Sequence, residues 1–121
     1  MAAIAVHRAN HVGRLGSYVE DIARQNMVAQ LFVNGAPTCR MAPWGGREAR
    51  HGTNPIAIGV PTSDQPLVVD ISTSVVANGK VLVQHIAGQQ CPEGWLIDAD
   101  GNPTTDPAVR FSDPRGTILP M

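Results

Sequence analysis

Aromatic residues are scarce in this 121-residue chain, which has two Trp, two Phe and one Tyr. A core of ordinary size must therefore be built from Val, Ile, Leu and Ala. Charge is also thin at 16%, and nine Lys and Arg nearly cancel ten Asp and Glu. No basic run occurs, which argues against nucleic acid or an anionic membrane as a partner. No apolar stretch is long enough to span a bilayer, and residues 1–6 are too short for a secretion signal. The two cysteines, Cys39 and Cys91, form no Cys-x-x-Cys pair and are expected as reduced thiols in the cytoplasm. His7, His11, His51 and His85 show no metal-ligand spacing, so no metal is expected. Several motifs are also missing: a phosphate-binding P-loop, a dinucleotide fingerprint, a nucleophile elbow and a glycosidase carboxylate pair.

What is present is glycine and proline, twelve and ten residues, in a chain that is 43% apolar. That is one domain's worth of globular sequence. The densest stretch is Ala42-Pro43-Trp44-Gly45-Gly46-Arg47-Glu48, followed by Gly52-Thr53-Asn54-Pro55. Its glycines permit close backbone approach to a ligand, and its prolines stiffen the chain on either side. It reads either as a rigid site loop between strands or as a surface crossover with no ligand.

The rest of the chain is read around that loop. Residues 2–6 are an apolar run expected as a buried strand. Leu15, Val19, Ile22 and Ala23 share one face of a segment whose other face carries Arg14, Glu20, Asp21, Arg24 and Gln25. This predicts an amphipathic helix of about four turns with a Glu20–Arg24 pair. His11 then lies at a strand-to-helix junction, where α/β proteins place ligand chemistry, or it is a capping or merely exposed histidine. Residues 27–33 predict a strand ending in the turn Asn34-Gly35-Ala36-Pro37. Residues 56–60 and 67–71 predict an antiparallel hairpin, because their connection is too short for a crossover. Asp70 interrupts the second of these strands. It belongs to a site or, with Ser72 or Thr73, caps a helix over residues 73–87 that ends at Gly88. From about residue 89 the chain reads as an irregular excursion rather than core.

The quoted residues form an ordered series. It runs Asn10-His11-x-Gly13, Ala42-Pro43-x-Gly45-Gly46, Gly52-Thr53-Asn54-Pro55, Val69-Asp70-x-x-Thr73-Ser74 and Gly79-Lys80. It closes with Pro92-Glu93-Gly94-Trp95 and Asp98-x-Asp100-Gly101-Asn102-Pro103-Thr104-Thr105-Asp106-Pro107. The series spans nearly the whole chain and resembles the malate/L-lactate dehydrogenase-like family, which includes L-sulfolactate and ureidoglycolate dehydrogenases and reductases of cyclic imino acids. The resemblance implies an α/β fold with a largely antiparallel mixed sheet flanked by helices, as in the L-sulfolactate dehydrogenase cofactor domain. It implies that residues 1–121 are a single, partial NAD(P)-binding domain. It implies hydride transfer between NAD or NADP and a 2-hydroxy or 2-keto acid, with cyclic imino acid reduction as the alternative. His11 matches the family's proton acceptor. Gly35, Asp70, Ile71 and Ser72 match cofactor-binding positions, and Thr53 lies in a loop near the substrate. At Gly35 the family often has Ser, so only a backbone contact carries over. Family members are much longer, with an upstream Ser-His-Gly motif and further downstream helices. The expectation is thus the central part of a dehydrogenase, inactive alone, that self-associates or pairs with complementary segments. A non-catalytic module that binds nucleotide or a partner is the competing reading.

Overall fold

A computed structural model of the chain describes residues 1–35 and 40–121. The expected Ala36-Pro37 half of the turn and Cys39 lie outside the described residues. The chain divides into two compact units, Met1–Leu31 with Ala57–Asp70 and Phe32–Ile56 with Ile71–Met121.

The first unit is a helix on a sheet. Helix α1, Leu15–Arg24, buries Leu15, Gly16, Val19 and Ala23, the stripe that the periodicity predicts, but runs ten residues rather than four turns. It stops at Asn26, which adopts φ +59°, the left-handed conformation that asparagine tolerates at a helix end. Glu20 and Arg24 form the expected ion pair on its outer face. Strands β1 (Ala29–Phe32), β2 (Ile56–Val60) and β3 (Leu67–Ile71) form a sheet in that order. The six residues between β2 and β3 are too few for a parallel crossover, so these two strands are antiparallel, as predicted. Leu15, Val19, Ala29 and Ala57 make the core, with Ile22, Leu31 and Val68 against it. Small residues on β2 let the helix sit close. A β-carbon added to Gly59 would lie 2.3 Å from the Val19 carbonyl oxygen.

Residues 2–6 are not a strand. They are exposed and irregular, and among the described residues no strand pairs with them. His11 accordingly follows an irregular segment rather than a strand, four residues before α1.

The second unit has its own core of Val76, Val81, Cys91, Leu96 and Ile118, with Trp95 and Val109 packed against it. Helix α2 spans Asn78–Ile86, beginning later than the predicted 73. Ser72, Thr73 and Ser74 do not cap it; their hydroxyls are committed to Thr53 and Val76. Gly88, at φ +65°, follows its end as expected. The stretch from residue 89 carries β4 (Leu96–Ile97), β5 (Pro103–Thr104), a 3-10 helix (Pro107–Arg110) and β6 (Thr117–Ile118). β4 pairs antiparallel with both β5 and β6. Leu96 and Ile118 are fully buried, so this stretch supplies core instead of skirting it. The C-terminal run is the hub of the unit. Ile118 N–H donates to the Arg40 carbonyl, Ala42 N–H to that of Ile118, and Val75 N–H to that of Leu119.

Candidate functional site

In the second unit two loops meet at one carbonyl. The Thr53 oxygen accepts from the Thr73 backbone N–H at 2.9 Å, from Thr73 Oγ1 at 3.0 Å and from Ser72 Oγ at 3.2 Å. One residue on, Asn54 Oδ1 accepts the Gly35 backbone N–H at 3.0 Å. Asn54 holds φ +34°, a conformation rare outside glycine, and Pro55 follows it. Gly52 packs against Gly35 so closely that an added β-carbon would lie 3.1 Å from the Gly35 Cα. Three of the residues singled out from sequence, Gly35, Thr53 and Ser72, are thus tied into one hydrogen-bonded junction.

The junction borders an open groove of about 530 Å³, lined among others by Phe32, Trp44, His51, Asn54 and Thr73. That volume is in the usual range for small-molecule sites. Trp44 and Phe32 are largely exposed and give the groove flat apolar walls. The glycine-rich loop makes one wall, as the reading of a rigid site loop requires. It is held at its base where Met41 N–H donates to the His51 carbonyl at 3.0 Å and His51 N–H to that of Met41 at 3.1 Å. Sequence reasoning quoted Asn54 and Trp44 within motifs but gave them no role. The Asn-Pro pair, which marks a turn start, was the available signal for Asn54.

Asp70 does something else. Its Oδ2 accepts the Gly16 backbone N–H at 2.8 Å and lies 3.6 Å from Arg14 Nε. Gly16 is in the first turn of α1, whose own N-cap residue, Arg14, offers no side-chain acceptor. Asp70 therefore caps α1 from 54 residues away in sequence. It does not cap α2, the alternative that the sequence offered. A β-carbon at position 16 would sit 2.7 Å from Asp70 Oδ2, so any larger residue there would push the capping carboxylate aside.

His11 is exposed, and its Nδ1 accepts the Gly13 backbone N–H at 3.1 Å. In a neutral ring so held, the proton sits on Nε2, which is then a donor. The nitrogen left to accept a proton is then Nδ1 itself, so the Gly13 bond must be released before the ring can take one. Elsewhere, Asp98 lies below the usual carboxylate range, chiefly because its carboxylate accepts the Asn102 backbone N–H. The buried Cys91 thiol is pushed up by burial and by nearby Asp106, and it is free. Among the described residues no group of three or more His, Cys, Asp or Glu is placed to hold a metal ion. No helix among them is long and apolar enough to cross a membrane.

A helix on an antiparallel sheet in one unit, and a groove walled by a glycine-rich loop in the other, define an α/β protein with a candidate ligand groove. The chain belongs to the malate/L-lactate dehydrogenase family, whose model matches residues 1–121. It is 48% identical over 121 residues to the (2R)-3-sulfolactate dehydrogenase (NADP(+)) of Chromohalobacter salexigens, covering 99% of this chain and 35% of that protein. Two solved structures share its fold. Sulfolactate dehydrogenase from Methanocaldococcus jannaschii matches at TM-score 0.73 and 40% identity, over 92% of this chain and 31% of that one. Delta1-piperideine-2-carboxylate reductase from Pseudomonas syringae pvar. tomato matches at TM-score 0.78 and 37% identity, over 89% of this chain and 32% of that one. The chain thus spans about a third of the length of the relatives it matches, and its fold is an incomplete form of theirs.

Proposed function

We propose that this chain is part of the NAD(P)-binding domain of an oxidoreductase that moves hydride between a nicotinamide cofactor and a 2-hydroxy or 2-keto acid in the cytoplasm. The observation that carries the reading is the Thr53 junction, which gathers Gly35, Thr53 and Ser72 beside one groove. The groove suits the cofactor's flat nicotinamide end, with apolar rings at its rim and a backbone-to-backbone contact at Gly52 that a side chain would block. When bound, the cofactor supplies the hydride acceptor or donor. Gly35 and the segment Asp70, Ile71 and Ser72 hold it through backbone groups, because the Asp70 carboxylate is already engaged at α1. Thr53 positions the substrate. His11 takes the hydroxyl proton at Nδ1 once the Gly13 N–H releases it, Nε2 keeping its own hydrogen, a task suited to imidazole. A homo-oligomer or complementary segments complete the cleft, and the chain alone does not turn over.

The similarity to a piperideine-2-carboxylate reductase supports a second substrate class, cyclic imino acids. The test replaces His11 by Ala in a complete enzyme carrying this segment, assayed with NAD(H) and NADP(H) against 2-hydroxy acids, 2-keto acids and cyclic imines. The expected loss in kcat is about two to four orders of magnitude. A loss below about tenfold on every substrate sinks the assignment.

A further inference from the structure

Arg110 is the most deeply buried charged residue of the second unit, with 4% of its surface exposed. Its Nη1 donates to the Gly116 carbonyl, while its Nε, also buried, has no hydrogen-bond partner. Two other arginines converge on the same strand. Arg115 directly precedes Gly116, and the Arg40 carbonyl accepts the Ile118 N–H at 2.9 Å, two residues further along. Burial first, and then both cations, push the Arg110 guanidinium below its ordinary value. Among the described residues, the ion pairs use Arg14, Arg24 and Arg50, and no carboxylate lies within ion-pair distance of Arg40, Arg110 or Arg115. None of the three borders the groove.

A buried guanidinium with an unfilled donor and two cationic neighbours is strongly unfavourable unless an anion joins it. A planar guanidinium offers paired N–H donors matched to oxyanions, and three such groups suit a doubly charged tetrahedral anion better than a single carboxylate. We propose that Arg110, with Arg40 and Arg115, forms a second ligand site on this chain that takes a phosphate group. Arg110 supplies the buried, directional contact, and Arg115, which is exposed, draws the anion in. The phosphate is either free inorganic phosphate or the phosphate of a larger ligand such as a dinucleotide. The site stands independently of the dehydrogenase reading, because nothing in it depends on nicotinamide or on hydride transfer.

The test is a calorimetric titration of the purified chain with sodium phosphate at constant ionic strength, with chloride as the control. It is repeated with NAD+ and NADP+ as competitors. One saturable phosphate site is expected. Arg110→Met weakens it by about ten- to a hundredfold, the worth of one or two charge-assisted hydrogen bonds. Arg115→Ala and Arg40→Ala, on less buried side chains, each weaken it about three- to tenfold and keep the test valid if Arg110→Met fails to fold. Competition by NADP+ but not NAD+ identifies the extra ribose phosphate as the ligand. Competition by both identifies the shared diphosphate, and competition by neither identifies free phosphate; each outcome supports the site. Absence of saturable phosphate binding by the wild-type chain overturns it. So does binding that all folded arginine variants leave unchanged. No arm measures hydride transfer, so the His11 experiment can fail while this one succeeds, and the reverse.

Discussion

Removing the Asp70 carboxylate should unfasten the start of α1. In Asp70→Ala, the Gly16 N–H loses its acceptor at 2.8 Å, and no side chain in the N-cap position replaces it. Loss of a cap costs about 1 kcal/mol, and loss of a negative charge at a helix N-terminus adds roughly 0.3–1 kcal/mol. The Arg14 pair adds little, because that side chain is 60% exposed and solvent screens it. The total is about 1.3–2 kcal/mol, a fall in Tm of about 5–8 °C for a chain of this size. Asp70→Asn keeps an acceptor oxygen and loses the charge, so it should fall between. Gly16→Ala is the complementary perturbation. Alanine favours helix over glycine by about 0.8–1 kcal/mol, yet its β-carbon would displace the Asp70 carboxylate. It should therefore destabilise the wild type and stabilise the Asp70→Ala background. Thermal melts followed by circular dichroism, with urea titrations in parallel, compare the wild type with all four variants. Additive effects in the double variant, or an Asp70→Ala Tm within about 1 °C of wild type, would refute the capping role.

Gly59→Ala should destabilise by about 2 kcal/mol or more, because its β-carbon would meet the Val19 backbone at 2.3 Å. Gly79→Ala, in the first turn of α2 with nothing within 4 Å, should be neutral or stabilise by about 0.5–1 kcal/mol; urea unfolding compares the two. Asp98 has its carboxyl held below the ordinary range in the folded chain. Its contribution is therefore complete above the unfolded-state value and is lost as pH falls through the lowered one. Asp98→Asn should accordingly flatten the acid limb of stability against pH below the usual carboxylate range. Equal acid limbs in the two proteins would rule that out.

Much of the first unit was legible because its information is local and periodic. Leu15, Val19 and Ala23 repeat at helical spacing and are buried. β2 and β3 begin and end where their apolar runs do, and the short link between them allows one pairing. The family itself was readable from the order and spacing of its turn motifs, which need no folding to be seen.

The second unit was read less well, because two-residue strands such as β4, β5 and β6 carry no period at all. Ile118 sits in a tail that looks polar, and only its pairing with Leu96 and its bond to Arg40 make it core. Residues 2–6 show the converse, an apolar run that finds no strand to pair with and stays exposed. The candidate site divides the same way. Asp70 stood out as a carboxylate in an apolar strand, whereas Gly35, Thr53 and Ser72 were named through the family resemblance. Only the tertiary structure decided that Thr53, Ser72 and Gly35 join at one junction and that Asp70 serves α1. It alone buried Arg110 without a counter-charge. Each of those outcomes is a contact between residues distant along the chain, and hydrogen-bond geometry and burial exist only after the chain has folded.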